Sequence, residues 1–331
     1  MRYRDQIGLI TGQNTYRGNL HSHTVQSDGH LTPAESVQRY RQNGYSFLSL
    51  TEHDLYTDLR AQFEDESFLI FPGIEASSYL LDDPVHRNAV KCHHMNGILG
   101  STEMLASAEK QYAPNEHQAR DLHFHSWNGA EAAQKLCTGL QDHGMLVTYN
   151  HPCWSRVDPE EFADTEGLWA LEIFNYDTVL ECGEGLDTCD WDRMLRAGRR
   201  IYAVATDDNH NGPQFEDSCG GWISVHADQL SHDAIVASLL RGNYYSSSGP
   251  AVSSYLIRND IVQIDCSPCQ RITFITGGEI GSSRTMLAAG HALTHAEYQL
   301  PAGMRYVRAE CVDASGQYAW TNPLFLEGVH E

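Results

Sequence analysis

The chain has 331 residues, 41% of them hydrophobic and 20% charged, and a formal net charge of −22. That length suits one large domain, or a domain with a smaller appendage, and the acidity sets a long nucleic-acid backbone aside as the main partner. The start, MRYRDQIGLITGQNTYRG, lacks the apolar stretch and small-residue cleavage site of a signal peptide, and no apolar run is long enough to span a membrane, so a cytoplasmic location is expected.

In chain order, the first chemistry-bearing stretch is GNLHSHTVQSDGHLTP, which places His21, His23 and Asp28 close together. Alternate residues of an extended segment share a face, so His21 and His23 can point to one side. TPAESVQRYRQNG then reads as a helix, with a Thr cap, Pro at its first position and Gly44 at its end. YSFLSLTEHD follows as a buried strand ending at His53, and FLIFPGIEAS as another ending at Glu75. Next come CHHMNG with His94, GMLVTYNHP with His151, LWALEIFN with Asn175, and RRIYAVATDDNH with Asp208 and His210.

Each of these is an apolar run that stops abruptly in polar residues, alternating with amphipathic helical stretches up to about residue 250. This is the pattern of an α/β domain, and in a parallel barrel such strand ends gather at one mouth. Residues 98–135 break the rhythm and read as a polar, His-rich insertion near that mouth, with His117, His123 and His125 as surface or lid residues. From residue 251 to 331 only short alternating strands with turn residues remain, which predicts a small β-sandwich-like module.

Nine scattered cysteines fit a reducing compartment better than a disulfide scaffold. Cys266 and Cys269 in CSPC have metal-knuckle spacing but no second such pair, and read as ordinary strand or turn residues. Cys153 reads as packing.

The strand ends deliver only imidazole and carboxylate, ligands that suit zinc, manganese or iron. In this order the motifs resemble those of the polymerase and histidinol phosphatase (PHP) superfamily of metallohydrolases, over residues 16–250. The β-rich end and the HHMNGI form of the fourth motif are similar to the branch that includes carbaryl-type hydrolases. The resemblance implies a distorted (β/α)7 barrel in residues 1–250, holding two or three divalent ions (Zn, Mn or Fe). His21, His23, Glu75 and Asp208 would hold the first ion. Glu75 would bridge to a second held by His94 and His151, and Asp28, His53 and His210 would hold a third.

Within that set Glu75, Asp208 and His210 are the expected catalytic members. The family spacing selects His94 over His93. The spacing to His210 selects Asp208 over Asp207, which becomes a partner behind the ligands. His30 falls beyond the ligand spacing and reads as a surface residue.

Clustered metals lower the pKa of a bound water from ~15.7 to about 7 and clamp the oxygens of a transferring group. The expected activity is therefore hydrolysis of a small phosphorylated metabolite, nucleotide or short oligonucleotide by a metal-bound hydroxide. Arg156, Arg87 and Asn175 are the candidates for holding that substrate. An amide, ester or carbamate hydrolase on the same ions is the first alternative, and a non-catalytic metal-containing binding protein the second.

Overall fold

The computed structural model describes residues 2–10 and 12–329. Its largest sheet contains the path Tyr202–Thr206, Ala170–Asn175, Met145–Tyr149, Ala89–Leu99, Leu69–Leu81, Phe47–Leu50, Asn14–Asn19, each strand paired with the next. The apolar runs of the sequence form these strands, and their residues are buried almost without exception from Phe47 to Leu50, Met145 to Tyr149 and Ala170 to Asn175. Strands buried on both faces read as continuous apolar runs, as these do.

Pairing is parallel on both flanks of this path. Ala89–Leu99 is the exception, running antiparallel to both Leu69–Leu81 and Met145–Tyr149. It returns from Leu69–Leu81 through the short segment 82–88, too brief for the crossover that a parallel pair requires. At the rim the two outer members of the path meet. His23 N–H donates to the Asn209 carbonyl at 3.0 Å, and Asp208 N–H to the His21 carbonyl at 3.0 Å. The sheet thus curls until its first and last strand ends lie side by side.

Helices cover its outside. Pro33–Gln42 starts as the sequence predicts, with Thr32 accepting from the Glu35 amide and Glu35 reaching back to Thr32. Its Val37 and Tyr40 pack on Leu48, Leu50 and Ile70. Gly129–Asp142 is capped by Asn128 and buries Ala133, Leu136 and Leu140 against Ile74, Met145 and Val147. No helix among the described residues is long and apolar enough to cross a membrane.

The segment 98–135 is more ordered than its polar composition predicts. It contains the helix Thr102–Ser107 and the strand Asp121–Phe124, which adds in parallel to the outer end of Leu69–Leu81. Its middle is pinned to the loop after His53, where the Tyr56 amide donates to the Glu116 carbonyl and the Gln118 amide to the Asp54 carbonyl.

Beyond Tyr244 the chain is all strands. The large sheet continues through Tyr318–Thr321, Tyr306–Val312 and Arg271–Thr276, and a separate sheet is ordered Leu293–Gln299, Ile261–Cys269, Val252–Arg258, Gln6–Leu9. Between them lies one apolar cluster including Tyr255, Ile257, Val262, Ile264, Ile272, Phe274 and Val307. Gln6–Leu9 pairs with Val252–Arg258, so a division at residue 250 separates this strand from the sheet it joins.

Candidate metal centre

The nine side chains His21, His23, Asp28, His53, Glu75, His94, His151, Asp208 and His210 converge at the rim, seven from the segments that follow strand ends and two, Glu75 and His94, from within the long strands Leu69–Leu81 and Ala89–Leu99, which run on past the site. Glu75 is the hub and is fully buried. Its Oε1 faces His21 Nε2 at 3.1 Å, His94 Nδ1 at 3.3 Å and His151 Nε2 at 3.4 Å, and its Oε2 faces His53 Nδ1 at 2.8 Å and His23 Nε2 at 3.4 Å. Asp208 Oδ1 lies 2.9 Å from the Nε2 atoms of both His21 and His23. Asp28 stands at the mouth, 3.3 Å from His53 Nε2 and 3.4 Å from His210 Nε2. Two backbone positions here are unusual, His151 with φ 26° and Asp208 with φ 53°, left-handed conformations that cost about 1–3 kcal/mol and persist where the surroundings impose them.

These contacts are not ordinary hydrogen bonds. His21 Nε2, His23 Nε2, His53 Nδ1, Glu75 Oε2 and Asp208 Oδ1 are buried and have no hydrogen-bond partner, although all aim at the same space. An orphaned buried polar atom costs about 1–3 kcal/mol, so five of them in one place call for a cation.

The ring nitrogens on the far side are held as metal-binding imidazoles require. His21 Nδ1 donates to Glu172 Oε1 at 2.8 Å, His210 Nδ1 to the Asp208 carbonyl at 2.8 Å, and His151 Nδ1 lies 3.1 Å from Ser155 Oγ. His94 Nε2 meets the Tyr79 hydroxyl at 2.9 Å. The Glu172 and Asp208 oxygens can only accept, so His21 and His210 keep the inward nitrogen as the one with a free lone pair, and the hydroxyls beside His151 and His94 can accept in the same sense. The residues present fit divalent ions in overlapping sets: His21, His23, Glu75 and Asp208; His53, Glu75 and His94; and His23, Asp28, His53 and His210, of which the first two share Glu75 and the last shares His23 with one and His53 with the other.

Without a cation, burial alone would strip protons from these rings, but the facing carboxylates outweigh it. Glu75 and Asp28 hold His53 up at about 10, and Asp28 and Asp208 hold His210 at about 9. Burial would also raise Glu75, yet His94, His21 and His53 keep its carboxyl well below the usual range. Below those imidazole values the rings carry protons that a metal must displace. Loading metal-stripped protein with Zn2+ or Mn2+ near pH 7 is therefore expected to release protons into a weak buffer, and apparent affinity to rise between about pH 6 and 9. An affinity flat across that interval would contradict the arrangement.

Of the adjacent pairs, His94 faces Glu75, whereas His93 turns away to bond the Tyr149 hydroxyl at 2.5 Å and stack on Trp127. Asp208 enters the cluster, but Asp207 does not back it. Its carboxylate instead accepts from the Cys219, Gly220 and Gly221 amides and the Tyr40 hydroxyl.

The expected substrate residues are corrected more heavily. Arg87 sits at the exposed tip of the hairpin, beyond the last pair Leu81↔Ala89, and Ala89 is five steps along the strand from His94, ~16 Å at 3.3 Å per residue. Asn175 is fully buried. Its Nδ2 donates to Asp208 Oδ2 and Glu172 Oε2, both at 2.9 Å, while its Oδ1 caps the helix Tyr176–Glu181. It positions a ligand and touches no substrate space. Arg156 is exposed and lines a neighbouring cavity of about 380 Å³ that shares Trp154 and Glu181 with the cavity over the cluster. His117, His123 and His125 stay outside the cluster's cavity.

Sequence reasoning missed Glu172, whose signal was one acid inside an otherwise apolar strand. It is 1% exposed and also accepts the His151 amide at 3.0 Å and the Thr206 hydroxyl. Glu172→Gln is expected to lower metal affinity ~10–100-fold through loss of the His21 contact, read by competition with a chelating dye. An unchanged affinity would assign Glu172 to packing alone. Arg120, from the polar segment, was also missed, and it is fixed beside Tyr79 by Asp54 at 2.6 Å.

No protein-family model and no curated protein matches the chain by sequence. Among the solved structures similar to it are three at low identity. One is a two-domain protein containing a predicted PHP-like metal-dependent phosphoesterase from Bacteroides vulgatus, at 14% identity and a TM-score of 0.42, covering 97% of this chain and 99% of that one. Another is a candidate metal-dependent phosphoesterase from Bifidobacterium adolescentis, at 13% identity and 0.41, covering 68% and 96%. The third is an amidohydrolase from Chromobacterium violaceum with bound sulfate and no metal, at 14% identity and 0.40, covering 69% and 96%.

Proposed function

We propose that this protein is a metal-dependent phosphoesterase acting on a small phosphorylated metabolite, nucleotide or short oligonucleotide, its curled sheet serving as a distorted (β/α)7 barrel of the PHP kind. The observation that carries the reading is the set of orphaned imidazole nitrogens and carboxylate oxygens aimed at one buried space. When bound there, two or three divalent ions (Zn, Mn or Fe) would acidify water and neutralise charge developing on the substrate's oxygens. The chain's own residues fix the rest. Glu75 joins the ligand sets, Asp208 is held by Asn175, and Glu172 sets the tautomer of His21. Asp28, His53 and His210 lie toward solvent, where a substrate enters the cavity of about 370 Å³.

A second reading, hydrolysis of an amide, ester or carbamate, is favoured by the cavity walls. Tyr79, Trp154, Phe215, Asp177 and Glu181 line them, and among the described residues no lysine or arginine does. Such walls suit a less charged substrate unless the metals alone balance a phosphate.

Metal-stripped protein reloaded with Zn2+, Mn2+ or Fe2+ separates the two. A nucleotide and sugar-phosphate panel with p-nitrophenyl phosphate is run beside an aryl ester and an aryl carbamate. Metal-dependent phosphate release, reduced ~10²-fold or more in His151→Ala, is the expected result. Turnover of the ester or carbamate with no phosphate release would transfer the assignment to the second reading.

A further inference from the structure

We propose that Cys266, Cys269 and Cys311 form a separate, all-sulfur site for one thiophilic metal ion, of the copper(I) or zinc class, between the two C-terminal sheets. Cys266 and Cys269 belong to the strand Ile261–Cys269 of one sheet, and Cys311 to Tyr306–Val312 of the other. All three sulfurs lie within 4.8 Å of one another, and Cys266 and Cys269 are 3.8 Å apart. Sulfurs held at 2.3 Å around a tetrahedral zinc would be ~3.8 Å apart, far beyond a covalent S–S bond of ~2.05 Å. The three therefore stand as free thiols at ligand spacing.

The backbone is shaped to bring this about. Residues three apart in a regular strand point to opposite faces, so Cys266 and Cys269 should diverge. Against Leu293–Gln299, however, the register runs from Asp265↔His295 to Cys269↔Leu293, four steps on one strand facing two on the other. This bulge contains Pro268 and turns both thiols inward. A lone buried cysteine acts as a small apolar side chain. Filling a core does not require three sulfurs around a common point, nor a bulge to aim them.

The number of ligands selects the ion. Among the described residues no imidazole or carboxylate completes the group, whereas structural zinc sites take four protein ligands and soft thiolate sets favour copper(I). Cys269 and Cys311 are sealed and Cys266 is 8% exposed, so a fourth ligand for zinc would have to come from solvent on the Cys266 side. Each thiol that ligates passes its proton to solvent.

The test uses the full chain with its exposed thiols removed (C153S, C182S and C189S), stripped and kept reduced without oxygen. It is titrated with Cu+, and separately with Co2+ as the spectroscopic stand-in for zinc. The nine side chains of the rim cluster carry no sulfur, so thiolate-to-metal absorption in the near ultraviolet that depends on Cys266 and Cys311 reports this site. The expected result is a band saturating at one equivalent of Cu+, accompanied by a rise in Tm, both lost in C266S and C311S. Saturation by Co2+ at one equivalent instead assigns the site to zinc. Should C311S fail to fold, C266S and sulfur scattering in the copper X-ray absorption of the parent protein decide. No band with either ion in folded protein, or a band that survives C266S, overturns the proposal.

Discussion

Glu75→Gln is expected to lower kcat/KM by about 10³-fold or more, ~4 kcal/mol of transition-state stabilisation, and to reduce bound metal below the parent stoichiometry. One carboxylate serves five rings, with His21, His94 and His151 on one oxygen and His23 and His53 on the other. The amide is nearly isosteric, so packing around the fully buried side chain is kept. What changes is the charge, together with one oxygen that becomes an NH2 donor. That group would face either two or three imidazole nitrogens whose lone pairs are needed elsewhere. Placed at the Oε1 position it would also repel the Asn150 amide, which donates there at 2.9 Å. In either orientation the neutral amide would hold the cations of the proposed centre more weakly than the carboxylate. Elemental analysis of the purified variant and phosphate release after reloading check this together. Full metal content with parental activity would remove Glu75 from the centre of the site.

The contrast between Glu75 and Arg87 shows what the sequence could disclose. A ligand at a strand end is legible because an apolar run stopping in a polar residue fixes both its burial and its direction. His53, His151 and Asp208 follow that rule, just past the ends of Phe47–Leu50, Met145–Tyr149 and Tyr202–Thr206, whereas Glu75, expected at a strand end, lies inside Leu69–Leu81, and His21 follows the polar strand Asn14–Asn19. Likewise the Thr32 cap and Pro33 are local signals, and the helix begins where they place it. Arg87 fails because nearness in sequence was taken for nearness in space. Along an extended hairpin the seven residues to His94 carry it away from the rim, which a helix or tight turn would not have done.

Contacts from distant segments were illegible for another reason. Glu172 reaches His21 and Thr206 across 151 and 34 residues, and nothing local to ALEIFN indicates which strands will flank it. The same holds for Gln6–Leu9, whose partner strand lies nearly 250 residues away. Asp207 and Asp208 illustrate the limit within a single pair. Adjacent residues face opposite ways, so spacing could select Asp208 but not reveal that Asp207 would gather the 219–221 loop.

Arg308 is the other place where one substitution should act strongly, here on stability. The strand MRYVRAECV alternates, yet this arginine is only 1% exposed. Its guanidinium forms a two-pronged pair with Asp192, Nε to Oδ1 at 3.0 Å and Nη2 to Oδ2 at 2.9 Å, and lies over the Trp191 ring at 4.5 Å from its centre. Trp191 and Asp192 belong to the helix Thr188–Arg196 against the curled sheet, whereas Arg308 belongs to the C-terminal strands, so this pair ties the two parts of the molecule together. Breaking such a pair costs about 3–5 kcal/mol when the remaining charge is buried, and the cost depends on which partner remains. Arg308→Met leaves Asp192, 19% exposed and able to draw water, and keeps apolar contact with Trp191. Asp192→Asn leaves a guanidinium sealed from solvent with an amide oxygen in place of a charge. Its remaining carboxylate neighbour, Glu310, lies 3.9 Å from Nη1. The arginine variant is therefore expected to lose about 2–3 kcal/mol and the aspartate variant about 4. The double variant should lose less than the sum of the two, measured by urea unfolding at one fixed metal loading. Equal single losses that add in full would mean that the pair contributes packing and no charge coupling. Metal content per folded molecule should not move in any of the three, because neither residue lines the cavity over the rim cluster.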